Sequence, residues 1–111
     1  MVKTIESYKE FNELTVLPEI TSSDVVIIHF WATGSGPCQT MSLSFRSLES
    51  DYPGTKFYKV DVDKHPDIVA KLGISSLPIF VAHKNGTKVG DYVGDNPQGL
   101  VAQLETVAGA R

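Results

Sequence analysis

Val25-Val26-Ile27-Ile28-His29-Phe30-Trp31-Ala32-Thr33-Gly34-Ser35-Gly36-Pro37-Cys38 is the stretch whose reading decides the fold. Its first seven residues are almost continuously apolar and β-branched, the pattern of a strand covered on both faces. The next four carry the chain off the strand end. From Ser35 to Ser50 the residues Met41, Phe45 and Leu48 fall on one side, which predicts a helix of about four turns. A buried strand feeding directly into an amphipathic helix is the opening of a strand–helix–strand unit.

The flanking sequence extends that unit in both directions. Upstream, Tyr8, Phe11 and Leu14 recur at helical spacing and predict a short helix over Ser7 to Leu14. Downstream, Phe57 to Val62 alternates as a second central strand. Pro66 to Leu72, with Pro in its first turn and Gly73 beyond its end, reads as a short helix. This alternation favours parallel pairing with crossover helices. The last third changes character. Pro78 to His83 and Thr87 to Val93 are strands, and Asn85-Gly86 between them is a strong hairpin signal. Asn85-Gly86-Thr87 also fits a glycosylation acceptor, but with no secretory signal upstream the turn reading is preferred. Pro97 to Val107, with Leu100, Val101, Leu104 and Val107 in helical register, closes the chain. These elements make an α/β fold, a mixed sheet with helices on both faces.

The 111 residues are expected to form a single domain, 1–111, with 41% hydrophobic residues for its core. Ten Lys and Arg against 13 Asp and Glu give a net charge of −3, with both signs scattered along the chain. No concentrated basic face is implied, so a nucleic-acid partner is not expected. No run reaches membrane-spanning length, and Met1 to Ser7 is polar and mixed, so a cytoplasmic protein without a membrane partner is expected. The three histidines, His29, His65 and His83, are far apart in sequence, and no metal site is expected. Only one cysteine, Cys38, is present. It excludes an intramolecular disulfide and a Cys-rich zinc site.

Several motifs together make the chain resemble the thioredoxin family over essentially its whole length. Phe30-Trp31-Ala32-Thr33 resembles that family's strand end, and Gly36-Pro37-Cys38 matches the second half of its Trp-Cys-Gly-Pro-Cys signature. Lys59 and Val60-Asp61-Val62-Asp63 look like its next strand. Ile74-Ser75-Ser76-Leu77-Pro78 stands where the family has a loop ending in a cis-proline, and Val93-Gly94 where it has a final-strand glycine. The resemblance implies a thioredoxin-like fold with the order βαβαβαββα. It also implies a peptide-docking surface around Trp31, Gly34, Ser35, Gly36, Pro37, Leu77, Pro78 and Gly94.

Four departures bear on the chemistry. Ser35 stands in place of the family's attacking cysteine and Gly34 in place of the tryptophan before it. His29 replaces the buried acid, and Leu43 replaces a proline in the active-site helix. Disulfide reduction needs a thiolate to attack and a second thiol to resolve the mixed disulfide. One cysteine cannot supply both, so dithiol cycling within the chain is expected to be absent. Ser35 reads as the N-cap of its helix, with a catalytic hydroxyl or an anion-binding turn at Gly34-Ser35-Gly36 as alternatives. Cys38 reads either as a small buried hydrophobe or as a reactive monothiol. The resemblance places His29 beneath Cys38, so a Cys38–His29 pair with His29 as base is a candidate catalytic arrangement. Asp61 and Asp63 read as solvated strand-end charges. No cofactor is required. Glutathione is a candidate ligand, through a mixed disulfide with Cys38 or with its thiol held at Ser35. The expected partner is an extended peptide or protein client at the Ser35/Pro78 surface.

Overall fold

In a computed structural model, residues 2–16 and 24–109 are described. The elements run β1 (Lys3–Thr4), α1 (Tyr8–Thr15), β2 (Val26–Trp31), α2 (Gly36–Leu48), β3 (Lys56–Asp61), α3 (Pro66–Leu72), β4 (Ile79–Lys84), β5 (Thr87–Val93) and α4 (Pro97–Ala108). The order is βαβαβαββα, as the resemblance implies. A single 3-10 turn, Glu49–Asp51, follows α2, so the four-turn helix read from the sequence ends its α-helical part at Leu48.

Five strands form one mixed sheet in the order β1-β3-β2-β4-β5. β2 lies parallel to β3, with His29 opposite Lys59 and Trp31 opposite Asp61. β4 runs antiparallel to β2, with His29 opposite Phe80 and Phe30 opposite Ile79. Successive side chains of β2 point to opposite faces, and both faces are covered. Ile27 packs with Met41, Phe45 and Leu48 of α2 and with Leu100 and Leu104 of α4. Val26, Ile28 and Phe30 pack instead with Phe11 of α1 and Ile68 of α3. That double covering is why β2 is apolar almost throughout.

Local chemistry fixes the boundaries. Ser7 caps α1 by accepting from the Glu10 N–H. Gly73 ends α3 in the left-handed region at φ 66°, a conformation that glycine adopts at no steric cost. Asn85 and Gly86, both at positive φ (53° and 79°), make the two-residue turn between β4 and β5. One residue of β5 is extra in the register between Ala82–Gly90 and His83–Lys88, which bulges that edge strand.

Candidate functional site

Strand pairing brings the residues singled out in the sequence to one end of the sheet. β2 ends there at Trp31 and β3 at Asp61. β4 starts there at Ile79, paired with Val93 near the end of β5. The segment 32–35, the segment 74–78 and Gly94 therefore emerge from a common edge.

The first segment is a tight turn. The Ser35 N–H donates to the Ala32 carbonyl at 3.1 Å, and Ser35 is extended at φ −100°, ψ 110°. Its Oγ accepts from the Cys38 N–H at 3.3 Å, which satisfies one of the otherwise unpaired donors of the first turn of α2. Pro37 occupies that first turn, where a missing N–H costs nothing. Gly34, Gly36 and Pro37 are exposed, Ser35 is half-buried, and Cys38 is 1% exposed. With leucine at position 43 no backbone N–H is lost inside α2, and the helix runs uninterrupted from Gly36 to Leu48 while Leu43 itself is exposed.

In the second segment the Leu77–Pro78 peptide is cis. Pro78 is buried, Leu77 half-buried, and Ser75 and Ser76 exposed. The Gly94 N–H donates to the Pro78 carbonyl at 3.1 Å, tying this segment to the end of β5. Gly94 sits at φ 148°, a backbone conformation that favours glycine, with the Tyr92 hydroxyl against the place a Cβ would take. Beside this segment Leu72, Ile74, Ile79, Lys88 and Val93 line a groove of about 180 Å³. On the other side of the end, Trp31 and Lys59 help line a cleft of about 410 Å³. The Lys59 ammonium lies 5.9 Å from the centre of the Trp31 ring, and the indole Nε1 is buried without a hydrogen-bond partner among the described residues.

His29 and Cys38 are both on the α2 side of the sheet, yet no hydrogen bond joins them, and the His29 Nε2 has no partner among the described residues. The imidazole stacks on Phe80, centroids 4.4 Å apart and planes 13° apart, with Phe45 edge-on at 5.6 Å. Packing between two aromatic rings therefore sets its orientation, and the cysteine does not. Burial, and then the Lys59 charge, lower its pKa from 6.5 to about 4. His29 is thus neutral at pH 7 and a weak base. The candidate pairing of His29 as base with Cys38 is not assembled in this structure.

The reading of Asp61 as a solvated charge is also corrected. Asp61 is buried, and its Oδ1 accepts from the Asp63 N–H at 3.0 Å, which turns the chain at the end of β3. Asp63 is exposed. His83 lies buried on β4 with Phe11 edge-on to its ring, and His65 stands at the start of α3. Among the described residues no group of three or more His, Cys, Asp or Glu is placed to hold a metal ion, and no helix is long and apolar enough to cross a membrane. Sequence reasoning missed Ser42 and Arg46, which follow Cys38 at i+4 and i+8 on α2 and line a small cavity with His29. Their helical spacing from Cys38 was the available signal.

Comparison with known proteins agrees with this geometry. The family model described as Thioredoxin matches residues 3–106. The chain is 39% identical to thioredoxin of Malassezia sympodialis over 105 residues, covering 93% of this chain and 95% of that one. It is 35% identical to mouse thioredoxin over 108 residues, covering 97% of this chain and all of the other. The crystal structure of Malassezia sympodialis thioredoxin superposes with a TM-score of 0.86 at 38% identity, over 97% of this chain and 91% of that one. The oxidized form of mitochondrial thioredoxin 3 from Saccharomyces cerevisiae gives 0.83 at 32% identity, over 95% and 94%. In sequence and in architecture alike, the chain belongs to the thioredoxin family.

Proposed function

We propose that the chain binds extended peptide or protein clients at the surface around Ser35, Leu77 and Pro78, without dithiol–disulfide cycling of its own. The observation that carries this reading is the pairing of one buried thiol with a capping hydroxyl. Cys38 is the sole cysteine and is nearly inaccessible, while Ser35, at the helix start, is engaged with the Cys38 N–H. A hydroxyl forms no disulfide. A mixed disulfide formed at Cys38 would need a second thiol from elsewhere to attack it and release the reduced client. The exposed Gly34, Gly36 and Pro37, with half-buried Leu77 at the same end of the sheet, leave backbone and apolar surface for an extended segment to lie against. A monothiol oxidoreductase working through Cys38 with glutathione is the competing reading. It is weakened by the burial of the sulfur and the low basicity of His29.

The test is insulin reduction with thioredoxin reductase and NADPH, run beside the double variant Gly34→Trp/Ser35→Cys. The wild-type chain should show no turnover, and the double variant should gain it. Turnover by the wild-type chain without added glutathione refutes the proposal, and turnover only with glutathione favours the monothiol reading.

A further inference from the structure

Between β2, β3 and α2 lies a cavity of about 100 Å³ that neither the client surface nor the thiol uses. His29 lines it from the sheet, Lys59 from the neighbouring strand, Ser42, Leu43, Phe45 and Arg46 from the helix, and Val2 from the segment before β1. Leu43 and Arg46 are exposed and Lys59 is half-buried, whereas His29 is 1% exposed, so the imidazole stands at the deep end.

The lining has an excess of positive charge. Arg46 and Lys59 are both cationic, the cavity has no carboxylate in its wall, and neither cation forms an ion pair among the described residues. The Lys59 charge reaches the imidazole and helps keep it uncharged. Hydrogen-bonding capacity is unused as well. The Ser42 hydroxyl donates to the Cys38 carbonyl at 2.9 Å, but the His29 Nε2 is buried and unpartnered. The unpartnered His29 Nε2, beside two cations, offers a polar guest a hydrogen bond. A peptide or nucleotide does not fit. A planar anion of three or four heavy atoms does.

We infer that this cavity binds a small carboxylate anion, of formate or acetate size, held by the Lys59 ammonium and the Arg46 guanidinium beside the His29 ring. The planar fork of Arg46 suits a carboxylate, and Lys59 supplies a second donor on the strand side. Binding of this kind places a negative charge where the fold has gathered two positive ones and a neutral imidazole. Because it involves neither Ser35 nor the thiol chemistry, it stands or falls separately from the proposed client binding.

The experiment is a titration of the isotope-labelled full chain with sodium formate and sodium acetate at neutral pH, reading the His29 ring resonances by NMR. Sodium chloride at matched ionic strength is the control. Formate or acetate should shift the ring resonances saturably with a Kd in the millimolar range, as expected for so few heavy atoms. Chloride should leave them in place. Arg46→Gln, on the exposed rim, should weaken binding roughly tenfold, and Lys59→Gln should do so too. Shifts that never saturate, or that chloride reproduces, overturn the inference, as does unchanged affinity in both variants.

Discussion

The imidazole of His29 lies almost flat on the ring of Phe80, directly across the β2–β4 pairing. This contact keeps a titratable ring inside an apolar layer, and its pKa falls to about 4 as a result of burial and of Lys59. His83, buried on β4, is lowered to about 4 for the same first reason, with Lys88 adding to it. In the unfolded chain both would titrate near 6.5. Between those values the unfolded state binds more protons, so folding stability decreases as pH falls from 6.5 to 4 and is fully present above 6.5.

The expected size for His29 alone is about 3 kcal/mol across that window. Urea midpoints measured from pH 7.5 down to pH 4 check it. His29→Phe, which keeps the stacking and removes the titration, should show a shallower decline than the wild type. Parallel curves for the two would show that His29 is not the group responsible.

Ser35 is the second test. Its Oγ satisfies the Cys38 N–H at the start of α2, and no acidic side chain stands in the first turn to share the task. Ser35→Ala should lower stability by ~0.5–2 kcal/mol. Ser35→Asp, which preserves the acceptor and adds a negative charge at the helix N-terminus, should be neutral or stabilising. Denaturant midpoints for the three proteins decide the matter.

Most of the architecture was legible because local chemistry and global position agree. The unbroken apolar run of β2 reports a strand covered on both faces, and Asn85-Gly86 reports the turn that its two positive φ values require. Pro66 and Gly73 bracket α3 as their backbone preferences demand. β1 left no residue pattern. Its two residues are exposed, pair only with the edge of β3, and enter the order through the family resemblance alone. The site was legible as a set of residues at one end of the sheet, but not as a set of interactions. Spacing along the chain could put His29 and Cys38 on the same side, but the ring orientation depends on Phe80 and Phe45, which arrive from other elements. The cavity lined by His29, Arg46 and Lys59 likewise needs two strands and a helix assembled at once.

Accessibility sets the third prediction, since reaction of Cys38 requires the thiol to reach solvent. At 1% exposure, Cys38 should be alkylated slowly in the native chain at pH 7 and rapidly after unfolding in denaturant. Because no hydrogen bond links the two residues, His29→Ala should leave the native rate unchanged unless it loosens the fold, which a parallel midpoint measurement reveals. A fast native rate that drops in His29→Ala would favour the monothiol reading instead.

The last prediction concerns a helix position where alanine would ordinarily be an improvement. Gly99 lies in the first turn of α4, and replacing a helical glycine by alanine gains up to about 1 kcal/mol of helix propensity. Here the ring of Tyr92 occupies the space a Cβ would need, in contact with both the ring carbons and the hydroxyl. Two contacts hold that ring in place. Its hydroxyl accepts from the Asn96 N–H at 3.3 Å, and its face lies near-parallel to Phe80, with centroids 6.4 Å apart. Overpacking of this kind costs roughly 1–3 kcal/mol, which exceeds the propensity gain. Gly99→Ala should therefore lower the thermal midpoint in the wild-type background. In a Tyr92→Val background, where the ring is gone, the same substitution should be neutral or raise it, and the double-mutant cycle isolates the coupling between the two positions. Equal effects in both backgrounds would show that the Tyr92 ring does not hold position 99 to glycine.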